Sequence, residues 1–280
     1  MQRVAIVGAG EIGGAVAHLL ARRDVVPAIT VIDETGRVAA GRALDIAQAA
    51  PVEGFATQLT GSTDLSMAAG ADVIVVAERV TGGEWSGEDA LMLLKRLTET
   101  ASRAVIVCAG ASARELVDRG VRELKISRER LFGSAPEALA GGARALVALA
   151  VNGSPRDIAL SVLGVPPART VIPWEDATAA GFALTRRIDE PTRRRLSAKI
   201  QALWPPGPHA LAAAAVKTIE SIGGRQLQIV SCFVAPDRAG TERTRTAALP
   251  VRLGCAGIVE VVLPSLTVVE RVQLDNAMML

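Results

Sequence analysis

The sequence predicts a doubly wound α/β fold, a parallel sheet covered by helices on both faces, followed by a smaller mixed α+β lobe. Three observations carry that prediction. Apolar runs of strand length recur with helical stretches between them: Val4 to Val7, Ala28 to Ile32, Val73 to Val76 and Ala104 to Cys108. Such continuous runs, rather than alternating ones, suit parallel strands buried on both faces. A glycine-rich turn directly follows the first of them. From about Asn152 onward, helices and strands stop alternating and several strand-like runs follow one another. A chain of 280 residues is long enough for two sizeable cores. The expected division is a dinucleotide-binding domain over residues 1–150 and a second domain over 151–280.

Taken in order, Val4 to Val7 is the first strand and Ala15 to Arg22 lies in the first helix. Ala28 to Ile32 is the second strand. Val38, Ala43, Leu44, Ile46 and Ala47 recur at helical spacing within Arg37 to Ala50, and Pro51 is expected to stop that helix. Thr57 to Thr60 is a short strand, and Val73 to Val76 a central one. Asp89 to Thr100 and Arg114 to Leu124 read as helices flanking Ala104 to Cys108, and Arg130 to Gly133 as the last strand of about six. In the second half, Ile158 to Leu163 and Arg169 to Ile172 read as strands. Pro191 to Leu203 and the alanine-rich Leu211 to Ile222 read as helices, the latter ended by Gly223-Gly224. Leu227 to Val234, Thr244 to Val251 and Ile258 to Leu263 are strands with connections too short for crossover helices, hence antiparallel. Thr267 to Met279 forms a final helix.

The turn Gly8-Ala9-Gly10-Glu11-Ile12-Gly13-Gly14 is the strongest functional signal. Gly8 permits the tight turn, Gly10 lets a pyrophosphate approach the backbone, and Gly13 lets the helix pack on the strand. The free N–H groups at Glu11 and Ile12 then face the phosphates. Asp33 ends the second strand, twenty residues past Gly13. A carboxylate there accepts hydrogen bonds from the adenosine ribose and repels a 2′-phosphate, which favours NAD over NADP. The competing reading is a structural turn with a chance carboxylate at a strand end. The combined spacing favours the Rossmann-type nucleotide site, with Gly8, Gly10, Glu11, Ile12, Gly13 and Asp33 as its residues.

Composition narrows the remaining classes. Half of the residues are hydrophobic and 21% are charged, with no apolar stretch near the roughly 20 residues that span a bilayer. The first strand begins almost at Met1, so a cytoplasmic location without a leader is expected. Cys108, Cys232 and Cys255 are far apart in apolar surroundings, which suits buried thiols rather than disulfides or a metal site. A net charge of +2 says little about partners, but no tyrosine, four phenylalanines and three tryptophans are too few for a base-stacking platform. Neither nucleic acid nor membrane is expected as a partner.

Several stretches together resemble the NAD-dependent malate and lactate dehydrogenases, the malate-type branch most closely. They are Gly8-Ala9-Gly10-Glu11-Ile12-Gly13 with Ala17 to Ala21, Ala43-Leu44-Asp45-Ile46-Ala47-Gln48-Ala49-Ala50-Pro51-Val52-Glu53-Gly54-Phe55, Thr60-Gly61-Ser62 with Asp72 to Val76, and Pro250 to Ile258. The similarity spans nearly the whole chain. It implies NAD as cofactor and a two-fold homodimer, or a larger homo-oligomer, through the helix carrying Ala43 to Ala50. The final helix is shorter than is usual in the family, and Pro205-Pro206-Gly207-Pro208 interrupts a helix the family continues.

The resemblance also implies a set of catalytic residues, and these are missing. Reducing a 2-oxo acid requires a proton donor, a cation for the carboxylate and groups that polarise the carbonyl. The family's two loop arginines align with Gly82 and Glu88, and its asparagine after the fifth strand with Ala111. Its aspartate and carboxylate-binding arginine align with Leu139 and Gly142, and its histidine with Pro166. Arg79 falls where the family has a small residue against the cofactor, and Glu78-Arg79 with Gly110-Ala111 alters the nicotinamide side. The only histidines are His18, in the first helix, and His209. No catalytic residue is therefore assigned. The expectation is a dehydrogenase-like protein that keeps NAD(H) and has lost hydride transfer, a sensor or partner subunit. The rival is a rebuilt site using His209, Glu88, Glu84, Ser86 or Arg169; an empty relic is a third reading. His209, Arg144, Arg169 and the run Arg193-Arg194-Arg195 are otherwise read as surface or ion-paired residues.

Overall fold

A computed structural model describes residues 1–224, 228–237 and 244–279. The first half alternates as the sequence implies: β1 (Arg3–Val7), α1 (Glu11–Arg22), β2 (Ala28–Ile32), α2 (Gly36–Glu53), β3 (Gln58–Ser62), β4 (Val73–Val76), α3 (Gly87–Thr100), β5 (Val105–Cys108), α4 (Ala113–Arg122), β6 (Leu131–Gly133) and α5 (Ala135–Ala150). Strands β1 to β6 are parallel, in the order β3-β2-β1-β4-β5-β6. The order reverses between β1 and β4. A cleft therefore opens beyond their carboxyl ends, where the glycine turn, the β4–α3 loop and the turn after β5 meet.

Burial explains why these strands read as unbroken apolar runs. Val4, Ile6, Val73, Val75, Val105 and Val107 point into one core, and Ala5, Val7, Ile74, Val76, Ile106 and Cys108 into the other. Neighbouring side chains leave a strand on opposite faces, so both faces must be apolar. Helix α2 differs from expectation at its end: it runs through Pro51 to Glu53 and closes on Gly54 at φ +78°. Proline so near the end removes only one helical donor, and the left-handed glycine supplies the stop.

The second half contains β7 (Ile158–Ala159), β8 (Leu163–Val165), β9 (Arg169–Val171), β10 (Thr178–Ala179), β11 (Phe182–Ala183), α6 (Glu190–Gln201), α7 (Pro208–Ile222), β12 (Val230–Val234), β13 (Ala247–Gly254), β14 (Gly257–Val261) and α8 (Val268–Met278). The run expected as one strand from Ile158 to Leu163 is two short ones. Between them the Val162 N–H donates to Ser231 Oγ at 3.1 Å instead of a ladder partner. Strands β12, β13, β14, β8 and β9 are antiparallel, and β12 joins β6 through Phe233 and Gly133, so one sheet runs through both halves. The expected start of β12, Leu227, lies outside the described residues. Helix α7 packs on α1 and α5, and Arg23 of the first half pairs with Glu220 of α7 at 3.1 Å. Cys108 and Cys232 are buried, but Cys255 is exposed, because it sits in the tight turn between β13 and β14.

Candidate functional site

The cleft at the ends of β1, β4 and β5 has two sides with different contents. On the phosphate side the glycine turn is formed. Gly8 adopts φ +111°, a left-handed conformation open to glycine, and its N–H donates to Ile32 O at 2.8 Å. An added Cβ on Gly13 would strike the Gly8 carbonyl oxygen, so that glycine permits the close helix–strand approach. Ile12 and Gly13 are buried in the packing of α1, and Glu11 is exposed at its first turn.

Asp33 is 4% exposed, and its carboxylate accepts main-chain hydrogen bonds from Ala9 at 2.8 Å, Thr35 at 2.9 Å and Val80 at 3.2 Å. It ties the glycine turn to the segment after β4 rather than standing open to a ribose.

That segment enters the cleft. Glu78 lies over the glycine turn: its carbonyl accepts from the Gly10 N–H at 3.1 Å, and its Oε1 accepts from the Ile12 N–H at 2.6 Å. A Cβ added to Gly10 would lie 2.5 Å from that same Oε1. The carboxylate therefore occupies the space that the missing Gly10 side chain leaves open, where a pyrophosphate would approach. Burial raises the Glu78 pKa, the Ile12 N–H opposes the rise, and nearby Glu84 adds to it. In this conformation the turn has the backbone for a dinucleotide and its own carboxylate in place of the phosphate.

The rest of the loop folds on itself. The Arg79 N–H donates to Gly83 O at 3.0 Å, and the Arg79 guanidinium stacks 4.5 Å from the Trp85 ring centre. Glu84 accepts from the Ala111 N–H at 2.9 Å, the Ser112 N–H at 2.8 Å and the Ser112 hydroxyl. It thus covers the start of α4 after β5. Ser86 precedes α3 as its cap residue, and Glu88 pairs with Arg119 at 2.6 Å, outside the cleft.

The positions aligned with the family's substrate residues are apolar. Leu139 is 1% exposed and belongs to a core with Ala143, Ile172 and Ile200. A Cβ on Gly142 would come within 2.7 Å of Leu203 Cδ1, so the Leu203 methyl group takes up the space beside that glycine. Pro166 is buried and offers no titratable group. Trp204, three residues after α6 ends, stands edge-on to Phe233 at 6.0 Å. His209 is exposed in the first turn of α7 and lines, with His18, a groove of about 790 Å³ between α1, α2 and α7. His18 contacts Glu53 at 3.2 Å. Arg169 is exposed on β9. The structure does not bring His209, Glu88 and Arg169 together with Glu84.

One buried charge was not singled out from the sequence. Glu137, in the first turn of α5, is 3% exposed and accepts from Arg144 at 2.9 Å, Lys217 at 2.6 Å and the Ser231 N–H at 2.8 Å. Burial works against its ionisation, but Arg144 and Lys217 outweigh burial and hold its pKa below the usual carboxylate range. Arg144, expected as a surface or paired cation, is thus paired. The signal available in the sequence was an acidic residue inside an otherwise apolar helix start, Ala135-Pro136-Glu137-Ala138-Leu139.

A glycine turn at the switch point of a doubly wound sheet defines a dinucleotide-binding class of protein. Comparison with known proteins narrows it. Residues 2–96 match the family model described as lactate/malate dehydrogenase, NAD binding domain. The malate dehydrogenase of Thermomicrobium roseum is 26% identical over 99% of this chain and 94% of its own. Among solved structures, malate dehydrogenase from Salinibacter ruber superposes with a TM-score of 0.87 at 22% identity, over 99% of this chain and 94% of its own. Lactate dehydrogenase from Cryptosporidium parvum, in complex with lactic acid and nicotinamide adenine dinucleotide, gives 0.86 at 19% identity over 99% and 94%. Residues 2–96 are thus an NAD-binding domain of the lactate/malate dehydrogenase type, and over nearly its whole length the chain is similar in sequence to malate dehydrogenase and shares its fold.

Proposed function

We propose that the protein binds NAD(H) without reducing 2-oxo acids and serves as a nucleotide-responsive sensor or partner subunit. The observation that carries this reading is the packing of Leu139 at 1% exposure, in the position where the family resemblance expects the aspartate that orients a catalytic histidine. A buried leucine cannot orient an imidazole, and Pro166 offers none. Without a proton donor the rate falls by about 10² to 10⁴, and the absence of a charged anchor at Gly142 weakens substrate binding further.

The nucleotide would be held by the turn from Gly8 to Gly13, with the N–H groups of Glu11 and Ile12 toward phosphate. The buried charge of Asp33 disfavours a 2′-phosphate. Residues 1–150 form the NAD-binding domain in this reading, and 151–280 the second. A homodimer would use α2, whose exposed Leu44 and small alanines permit close approach. A rebuilt active site has less support, because Glu88 is paired with Arg119 and Glu84 is engaged by the backbone just before α4.

Calorimetry with NADH, NADPH and ADP-ribose, beside NADH oxidation assays with oxaloacetate and pyruvate, tests the proposal. Expected are NADH and ADP-ribose binding of similar strength, weaker NADPH binding and no turnover. Turnover with either 2-oxo acid, or no nucleotide binding at all, overturns it.

A further inference from the structure

We infer that the β4–α3 loop is an intramolecular occupant of the dinucleotide cleft, so that a nucleotide binds only by displacing Glu78 and Glu84 from the backbone donors they hold. The inference rests on the NAD-binding reading above and adds a gate to it.

Two carboxylates, six residues apart on one loop, reach the two helix starts that open on the cleft. Glu78 Oε1 takes the Ile12 N–H at the start of α1, and Glu84 takes the Ala111 and Ser112 N–H groups before α4. Free N–H groups and the positive end of the helix dipole attract anions at such places. A pyrophosphate and the Glu78 carboxylate require the same donor and the same space above Gly10, and both are negative. They cannot be bound there together.

The loop is held, but imperfectly. Glu78 Oε2, Arg79 Nε and Trp85 Nε1 are buried without a hydrogen-bond partner, three of the six such side-chain atoms among the described residues. Buried polar atoms are normally paired, so this concentration within eight residues marks a closed state whose opening recovers hydration. The means of movement are present. Gly82, Gly83 and Gly87 adopt φ +100°, +70° and +60°, and Gly83 and Gly87 have open space where a Cβ would stand. Their role is backbone freedom rather than close packing.

The test is ADP-ribose and NADH binding to the full chain and to Glu78→Ala, Glu78→Gln and Glu84→Ala, with tryptophan emission followed in parallel. Glu78→Ala should bind ADP-ribose at least tenfold more tightly than the unaltered protein. Glu78→Gln, which keeps an acceptor but loses the charge, should fall between them and provides the comparison if the alanine variant folds poorly. Glu84→Ala should improve NADH more than ADP-ribose, because Glu84 covers the half of the cleft beyond β5. ADP-ribose added to the unaltered protein should shift emission to the red, and Trp85→Phe should abolish the shift.

Equal or weaker ADP-ribose binding by both Glu78 variants, with the unaltered protein binding normally, overturns the gate and leaves the NAD-binding reading standing. Binding without any Trp85 response likewise overturns loop displacement. Absence of binding by every form overturns the NAD-binding reading itself, and the gate with it.

Discussion

The two sides of the cleft are closed in different ways. Above the glycine turn, closure depends on one loop carboxylate accepting from the Ile12 N–H, a contact that rotation of a side chain or movement of a loop breaks. At the positions aligned with the family's substrate residues, the space is filled by core: Leu139 is packed among apolar neighbours and Leu203 lies against Gly142. A loop contact is a state of the molecule, whereas a packed core is part of its stability. On the proposed reading, the nucleotide side is regained by motion, and the substrate side only by rebuilding.

The sharpest way to break this comparison is Leu139→Asp, which places a carboxylate where the family resemblance expects one. The substitution buries an unpaired acid in place of a well-packed leucine and should lower unfolding free energy by on the order of 4 kcal/mol or more. Urea denaturation measures it, and a loss below 1 kcal/mol would show that the position is not core.

Glu137→Gln comes next. It leaves Arg144 and Lys217 facing a neutral amide and should cost about 3 kcal/mol, near the lower end for breaking a buried pair because both cations are partly exposed. Its pH dependence is specific. The folded-state pKa of Glu137 is depressed from 4.5, so its contribution is present above that value and is lost as pH falls through the folded pKa. The melting-temperature gap between the unaltered protein and the variant should therefore narrow below about pH 4.5. A constant gap from pH 7 to pH 3 would remove the charge from the explanation.

On the nucleotide side the expected stability effects are smaller. Gly13→Ala meets the Gly8 backbone, which cannot move aside, while Gly10→Ala meets the Glu78 side chain from Cγ to Oε1, which rotates away. Gly10→Ala should thus change stability by less than about 1 kcal/mol, with a clearly larger loss for Gly13→Ala. Thermal unfolding of the pair separates them, and equal losses would mean that Glu78 is fixed as firmly as backbone. The smallest effect belongs to Glu78→Gln. It retains an acceptor for Ile12 and removes a charge that burial disfavours, so its melting temperature at pH 7 should equal or exceed that of the unaltered protein.

These contrasts also explain what the sequence discloses. The parallel half is legible because burial on both sheet faces writes itself as apolar runs such as Val73 to Val76, and because Gly8, Gly10 and Gly13 answer a local backbone need. The second half is less legible. Its strands are short, and Val162 is bonded to Ser231, 69 residues away, which no local pattern records. For the site, the family resemblance gives an expectation of which residues stand at the substrate positions but not of what fills the space. Leu203 reaches Gly142 from 61 positions along the chain, and Glu78 reaches Ile12 from 66. Asp33 shows the same limit: its place at the end of β2 is legible, whereas its three main-chain donors come from three separate segments.

The central claim is that nucleotide binding and hydride transfer are separable here, one gated and the other absent. NADH oxidation by Glu78→Ala, at saturating NADH and high oxaloacetate or pyruvate, tests it most directly because the nucleotide side is then released. The account predicts no turnover above the rate without protein. Turnover within tenfold of an ordinary enzyme rate of about 10 s⁻¹ would contradict it, and would mean that the apolar side of the cleft supports the chemistry after all.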